Sequence, residues 1–320
     1  MDRFVIYVPD RSSSAGYRAG YINKDGLVTI RPKFDDGLSF REQLASVKSG
    51  RKWGFIATDG EFAIQPKFIS YSRFYEGLAR TTKHSLCGFI NRFGEVAIEC
   101  KYEFVGDFSE HLAVFSKKNK FGFIDKDGTE IIPPTYEDAR AFSDGLAAVK
   151  VKDDWGYINP YGDIVIPPWF KADKLAAAGQ FSEGLAHVPV KGKFGYIDRS
   201  GRMVVSPQFD TPGLFRDGVS CVRLGSSMGF IDAAGEFRIP PQYEFASDFH
   251  DGLARVSIND RFGFIDNSGA LAIPAEYWDA EDFENGLCSV SSENLAAYIN
   301  VAGEIVWNGP YVEGRSGSLR

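Results

Sequence analysis

No stretch of this 320-residue chain approaches the ~20 consecutive apolar residues of a membrane-spanning helix. Its amino-terminal apolar run, Phe4-Val5-Ile6-Tyr7-Val8, is five residues long and too short for the core of a secretory signal. Cysteine is scarce. The four cysteines, Cys87, Cys100, Cys221 and Cys288, form no Cys-x-x-Cys pair, which argues against a zinc ribbon or a disulfide framework. Phosphate-loop and His-Glu-x-x-His motifs are also missing. The four histidines, His84, His111, His187 and His250, fall at unrelated positions, so nothing selects a catalytic grouping, a cofactor or a metal site. No window of ten residues shows apolar spacing of three and four, which excludes helical repeats. No shift in composition marks a linker. With 36 basic and 43 acidic residues, a net charge of -7 argues against broad contact with nucleic-acid phosphates. The expectation is a cytoplasmic protein, not an enzyme, with no nucleic acid or membrane among its partners.

What the chain does have is repetition. The run Gly122-Phe123-Ile124-Asp125-Lys126-Asp127-Gly128 states a pattern of Gly, aromatic, Ile, usually Asp or Asn, two variable residues and Gly. Copies start at Gly20, Gly54, Gly88, Gly122, Gly156, Gly195, Gly229 and Gly263, with a ninth at Ala297. Consecutive copies lie 34 residues apart, except for the 39 between Gly156 and Gly195. A second motif, Phe-x-acidic-Gly-Leu-Ala, lies midway between them, as in Phe142-Ser143-Asp144-Gly145-Leu146-Ala147. A third is Ile-Pro-Pro followed by an aromatic, as in Ile132-Pro133-Pro134-Thr135-Tyr136. Several motifs held in fixed phase identify a repeat array.

With Lys52 before Trp53-Gly54-Phe55-Ile56, the pattern resembles the bacterial WG, or KWG, repeat family over residues 4 to 307. The name-giving Trp survives only at Trp53 and Trp155. The resemblance implies repeat scaffolding and protein binding, with no activity or cofactor attached.

Each unit reads as three short strands. Leu253-Ala254-Arg255-Val256 forms the first, Phe262-Gly263-Phe264-Ile265 the second and Ala270-Leu271-Ala272-Ile273 the third. Asp or Asn begins the second turn by bonding its own backbone, and Gly ends it by accepting positive φ. In the central strand Phe123 and Ile124 should lie on opposite, covered faces, with Gly122 admitting a neighbouring unit. Proline should stop the third strand or confine it to an edge. The fold class expected is all-β: nine tandem three-stranded β-meanders forming an open superhelical β-solenoid, because no split unit suggests ring closure. A β-propeller is the alternative. Residues 1–307 would form one array with an irregular cap at 1–19, an insertion around 169–180 and a flexible tail at 308–320.

Candidate binding residues come from two features. Acids recur two positions after the motif Phe, among them Glu110, Asp144, Glu183, Asp217 and Asp251. They either cap the loop or pair with bases such as Lys52, Lys120, Lys193 and Arg261, or they form an acidic rail for a basic protein. The insertion carries Trp169, Lys171 and Lys174, and insertions in repeat proteins often map to the binding face. Trp169 would anchor a partner, while the carboxylates attract it without being needed for folding. The function expected is therefore a monomeric, non-enzymatic scaffold for another protein, with a toxin inhibitor or immunity protein as its sharper variant. An enzyme with a site assembled only in space, and a structural array binding glycans, are the alternatives.

Overall fold

The computed structural model describes residues 3–13, 15–171, 177–293, 295–310 and 312. These residues form nine antiparallel sheets, six of four strands and three of three. The fourth unit shows how one is made. Its central strand, Lys120–Ile124, pairs with Ala113–Lys117 on one side and Glu130–Tyr136 on the other. The turn between central and third strands is held as expected: Asp125 Oδ1 accepts from the Asp127 and Thr129 amides at 3.0 and 2.8 Å, and Gly128 takes φ 78°. The fourth strand, absent from the three-stranded expectation, is a two-residue segment. Asp138–Ala139, for example, pairs with Ala147–Val151.

Proline confines the third strand to an edge, but it does not stop the strand. Glu130–Tyr136 runs straight through Pro133 and Pro134. Phe121 and Phe123 of the central strand oppose Tyr136 and Ile132, so four residues on the outer side span two on the inner. This bulge presses the outer backbone onto Gly122, where a Cβ would lie 2.4 Å from the Ile132 carbonyl oxygen. The first Gly thus answers its own third strand, which corrects the expectation that it admits a neighbouring unit. Ala297 supports the explanation by exception: there the register runs unbroken from Leu295 opposite Pro310 to Tyr298 opposite Trp307.

The turn Gly is the residue that meets the neighbour. A Cβ on Gly128 would lie 3.0 Å from Ile98 of the preceding sheet, and Gly60, Gly162 and Gly201 meet Ile30, Ile132 and Ile166 in the same way.

Phe123 and Ile124 are both buried, on opposite faces, as expected. The core clusters show the consequence, because each lies between two consecutive sheets. Tyr21 clusters with Ile56, Phe123 with Ile158, Tyr157 with Ile197, Tyr196 with Ile231 and Phe264 with Ile299. In every case the motif aromatic of one unit packs with the motif Ile of the next.

The same rule joins the last unit to the first. Tyr298, the ninth aromatic, clusters with Ile22, the first motif Ile, together with Phe4, Ile6 and Leu287. Gly26 also sits against the Val306 backbone. The first and ninth sheets are therefore packed neighbours, and the open solenoid is corrected to its alternative, the β-propeller. Closure through complete sheets needs no split unit, since side-chain packing between faces joins them.

By compactness the chain divides into two units. One comprises Met1–Thr81, Arg92–Gly94 and His250–Arg320, and the other Thr82–Asn91 and Glu95–Phe249. Both are built from antiparallel sheets of this one kind. The last strand extends through Ile305–Pro310, and Val312 packs on the core that holds Tyr21 and Phe34, so the array reaches beyond residue 307. Residues 313–320 of the expected tail lie outside the described residues. No helix among the described residues is long and apolar enough to cross a membrane.

Candidate partner-binding surface

The acidic column begins as a local turn. Ser143 and Leu146 exchange backbone hydrogen bonds at 3.0 and 3.2 Å, which leaves Asp144 and Gly145 as a two-residue loop with φ 51° and 76°. Positive φ at both positions is the two-residue hairpin geometry that matches strand twist. It also aims the acid at the next repeat. Asp144 Oδ2 accepts from the Gly184 amide at 2.8 Å, Glu110 from Gly145 at 3.0 Å, Glu183 from Gly218 at 3.0 Å and Asp251 from Gly286 at 2.6 Å. The preceding serine reinforces the link: Ser109, Ser143 and Ser182 hydroxyls donate to the carbonyls of Phe142, Phe181 and Phe215 at 2.6 to 2.8 Å. Asp217 keeps the same left-handed backbone, φ 53°.

Phe-Ser-acid-Gly is thus an inter-repeat latch. The Glu110, Asp144, Glu183 and Asp251 carboxylates hold amides of the next repeat, a structural role beside the one the expectation gave them. The latch corrects their proposed pairing with Lys120 and Lys193. Those lysines instead reach Glu137 at 2.8 Å and Asp210 at 2.5 Å, acids that follow the third strand of the same unit. Glu137 also accepts from the Lys152 amide at 2.9 Å and Asp210 from Gly225 at 2.8 Å, so this second acidic column pins the adjoining hairpin loop. Sequence reading missed it; the signal was a constant separation of 17 residues from the base.

Lys171 belongs to that second column. It is the final residue of the outer strand Ile164–Lys171 and stands opposite Asp154, in the places of Glu137 and Lys120 with the charges exchanged. Lys171 is therefore strand, not insertion. Lys174 lies outside the described residues. The end of the insertion is also core: Ala178 is buried, Gly179 receives the Tyr157 hydroxyl on its carbonyl at 2.8 Å, and Gln180 donates to Ala141 at 3.2 Å.

Trp169 remains outside. Alternation along Ile164–Lys171 buries Ile166 and Phe170 and leaves Trp169 68% exposed. The turn before the strand is capped by Asn159, whose Oδ1 accepts from Tyr161 and Asp163 amides at 3.0 and 2.9 Å. That cap holds Tyr161 85% exposed, with Ile164 58% exposed beside it. The place of Trp169 is taken by Lys33, Lys67, Lys101, Thr135, Gln208, Gln242 and Glu276 in seven other units and by Pro310 in the ninth. Only the fifth unit turns a large apolar side chain outward there.

The family of WG containing repeats matches eight successive segments, residues 20–53, 53–87, 88–121, 121–154, 155–193, 194–226, 228–261 and 262–295. The chain belongs to the WG repeat family. No curated protein matches it. Among solved structures, a eukaryotic initiation factor is similar with a TM-score of 0.70 at 14% identity, over 97% of this chain and 96% of that one. BamB from Moraxella catarrhalis covers 92% of this chain and 96% of its own at 10% identity, with a TM-score of 0.47. The first likeness concerns the fold alone, and the second is too slight to build on.

The family's own tryptophans are structural in this WG repeat protein. Trp53 and Trp155 are buried, Trp155 beneath the Arg140 guanidinium at 5.4 Å. No group of three His, Cys, Asp or Glu side chains among the described residues is placed to hold a metal. His187, half-buried beside Gly179, Phe194 and Tyr196, has its pKa pushed down to about 4 by desolvation, against a raising hydrogen bond with Gly213.

Proposed function

We propose that this WG repeat protein is a non-enzymatic scaffold that binds another protein through the outer edge of its fifth sheet. Tyr161 and Trp169 carry the reading. They stand exposed on a hairpin anchored in the core by Ile166 and Phe170, and the position of Trp169 is held by Lys, Thr, Gln or Glu in seven other units. Large aromatics held rigidly at a surface are the usual anchors of protein interfaces. A tight, Asx-capped turn and a core-backed strand present them at little entropic cost on binding. The net charge of -7 favours a basic partner through long-range steering. The latch carboxylates contribute to that field while holding the repeats together.

The test is affinity capture from the native host with the parent chain and with the Tyr161→Ser/Trp169→Ser double variant, read by quantitative mass spectrometry. One protein should fall roughly tenfold or more with the variant, as expected for removal of anchoring aromatics, while the variant's thermal unfolding is unchanged. Equal recovery of every captured protein by the two baits would defeat the proposal.

A further inference from the structure

The outer strand of every sheet carries an unpaired edge, and this chain protects its edges with proline. Proline removes a backbone donor and so blunts an edge against further strands. It occurs in the outer strands Val28–Phe34, Phe62–Phe68, Glu130–Tyr136, Ile164–Lys171, Met203–Phe209, Phe237–Tyr243, Leu271–Tyr277 and Ile305–Pro310. The third sheet is the exception. Its outer strand, Val96-Ala97-Ile98-Glu99-Cys100-Lys101-Tyr102, contains none, and Cys100 stands where Pro32, Pro66 and Pro207 stand in sister strands. The strand ends its sheet, bonded on one side only, to Leu86–Ile90.

Its charges are arranged for one occupant in particular. Glu99 and Lys101 are both exposed and flank Cys100 symmetrically. When two copies of this strand pair antiparallel about a two-fold axis at Cys100, Glu99 of each faces Lys101 of the other. No sister edge is self-complementary in this way: the matching pairs are Arg31 and Lys33, Gln65 and Lys67, Ser206 and Gln208, or include proline. Directly opposed unlike charges and apolar contacts stabilise a strand pair, and like charges oppose it. A two-fold axis applies each contact twice.

We propose that the strand Val96–Tyr102 is a self-association edge through which two copies of this chain join antiparallel, with Cys100 on the axis. The occupant is a second copy because the edge complements itself in charge. This interface is separate from the Trp169 surface and does not depend on it.

Sedimentation equilibrium of the full chain tests it. The parent should be a concentration-dependent dimer. Cys100→Pro, which restores the residue of the sister edges, should be a monomer with an unchanged circular dichroism spectrum. Lys101→Glu sets Glu against Glu twice and should weaken dimerisation roughly tenfold or more. The double variant Glu99→Lys/Lys101→Glu restores both unlike pairs and should dimerise nearly as well as the parent. If Cys100→Pro fails to fold, the charge series still decides. A parent monomeric at every soluble concentration, a folded Cys100→Pro that remains dimeric, or a double variant no stronger than Lys101→Glu overturns the proposal. The first outcome would leave this edge to a strand from a different protein.

Discussion

The Tyr298 hydroxyl donates a 2.8 Å hydrogen bond to the Val5 carbonyl, across 293 residues of sequence, and the Tyr298 and Phe4 rings pack 5.7 Å apart. This junction ties the ninth sheet to the first. Removing the hydroxyl deprives a buried carbonyl of a donor, so Tyr298→Phe should cost ~1 to 3 kcal/mol in urea unfolding. A loss within ~0.5 kcal/mol would place the junction among surface-like positions that contribute little.

The latch makes a second prediction, one that a purely electrostatic rail does not share. Asp144→Ala loses an ionic acceptor for the Gly184 amide and puts a β-carbon residue without a local hydrogen bond at φ 51°. It should cost ~1 to 3 kcal/mol. Asp144→Asn keeps an acceptor and a side chain that tolerates positive φ, and should cost less than half as much. Equal losses from the two variants would show that the charge, not the bond, matters. Glu183→Lys should likewise lower the thermal midpoint by breaking its bond to Gly218.

Much of this was written plainly in the chain. Period 34 fixed the phase, Asp125 and Gly128 announced their turn, and Phe123 and Ile124 alternated as a doubly covered strand must. Two things were hidden. Closure was hidden because Tyr298 meeting Ile22 obeys the same aromatic-to-Ile rule as every internal junction, and a rule between neighbours does not say whether the ends are neighbours. The latch was hidden because its partners, Asp144 and Gly184, lie one repeat apart. Lys120 is closer in sequence to Glu110, but it is Glu137 that it reaches in the fold. Lys171, read as insertion, had its own signal in Asp154, where the charge pair is reversed. Trp169 was legible as a tryptophan beside the one break in the period, but its exposure on a strand was not.

His187 gives a pH dependence whose sign is fixed by its surroundings. Its pKa falls from the ordinary 6.5 to about 4, so the unfolded chain takes up a proton before the folded one does. Above pH 6.5 the residue is neutral in both states and costs nothing. As pH falls from 6.5 toward 4, stability declines by at most ~1.4 kcal/mol per pH unit. Below 4 the dependence flattens. His187→Gln should remove this component, so the difference between parent and variant in urea midpoint should change across pH 6.5 to 4 and be constant above. A pH-independent difference would mean that His187 is solvated in the fold.

Adjacent residues in the fifth outer strand should behave as opposites. Phe170 is buried in the cluster of Trp155, Tyr157 and Phe181, while Trp169 faces solvent. Phe170→Ala removes a ring from a filled core and should cost ~3 to 5 kcal/mol. Trp169→Ala should change stability by no more than ~0.5 kcal/mol, as at other exposed positions. The contrast follows from side chains alternating across a strand, and it also separates folding from binding. If Trp169→Ala is as damaging as Phe170→Ala, the tryptophan is part of the core and cannot anchor a partner. If both are neutral, the strand does not extend beyond Pro168. Only the unequal pair leaves Trp169 free to be spent on an interface.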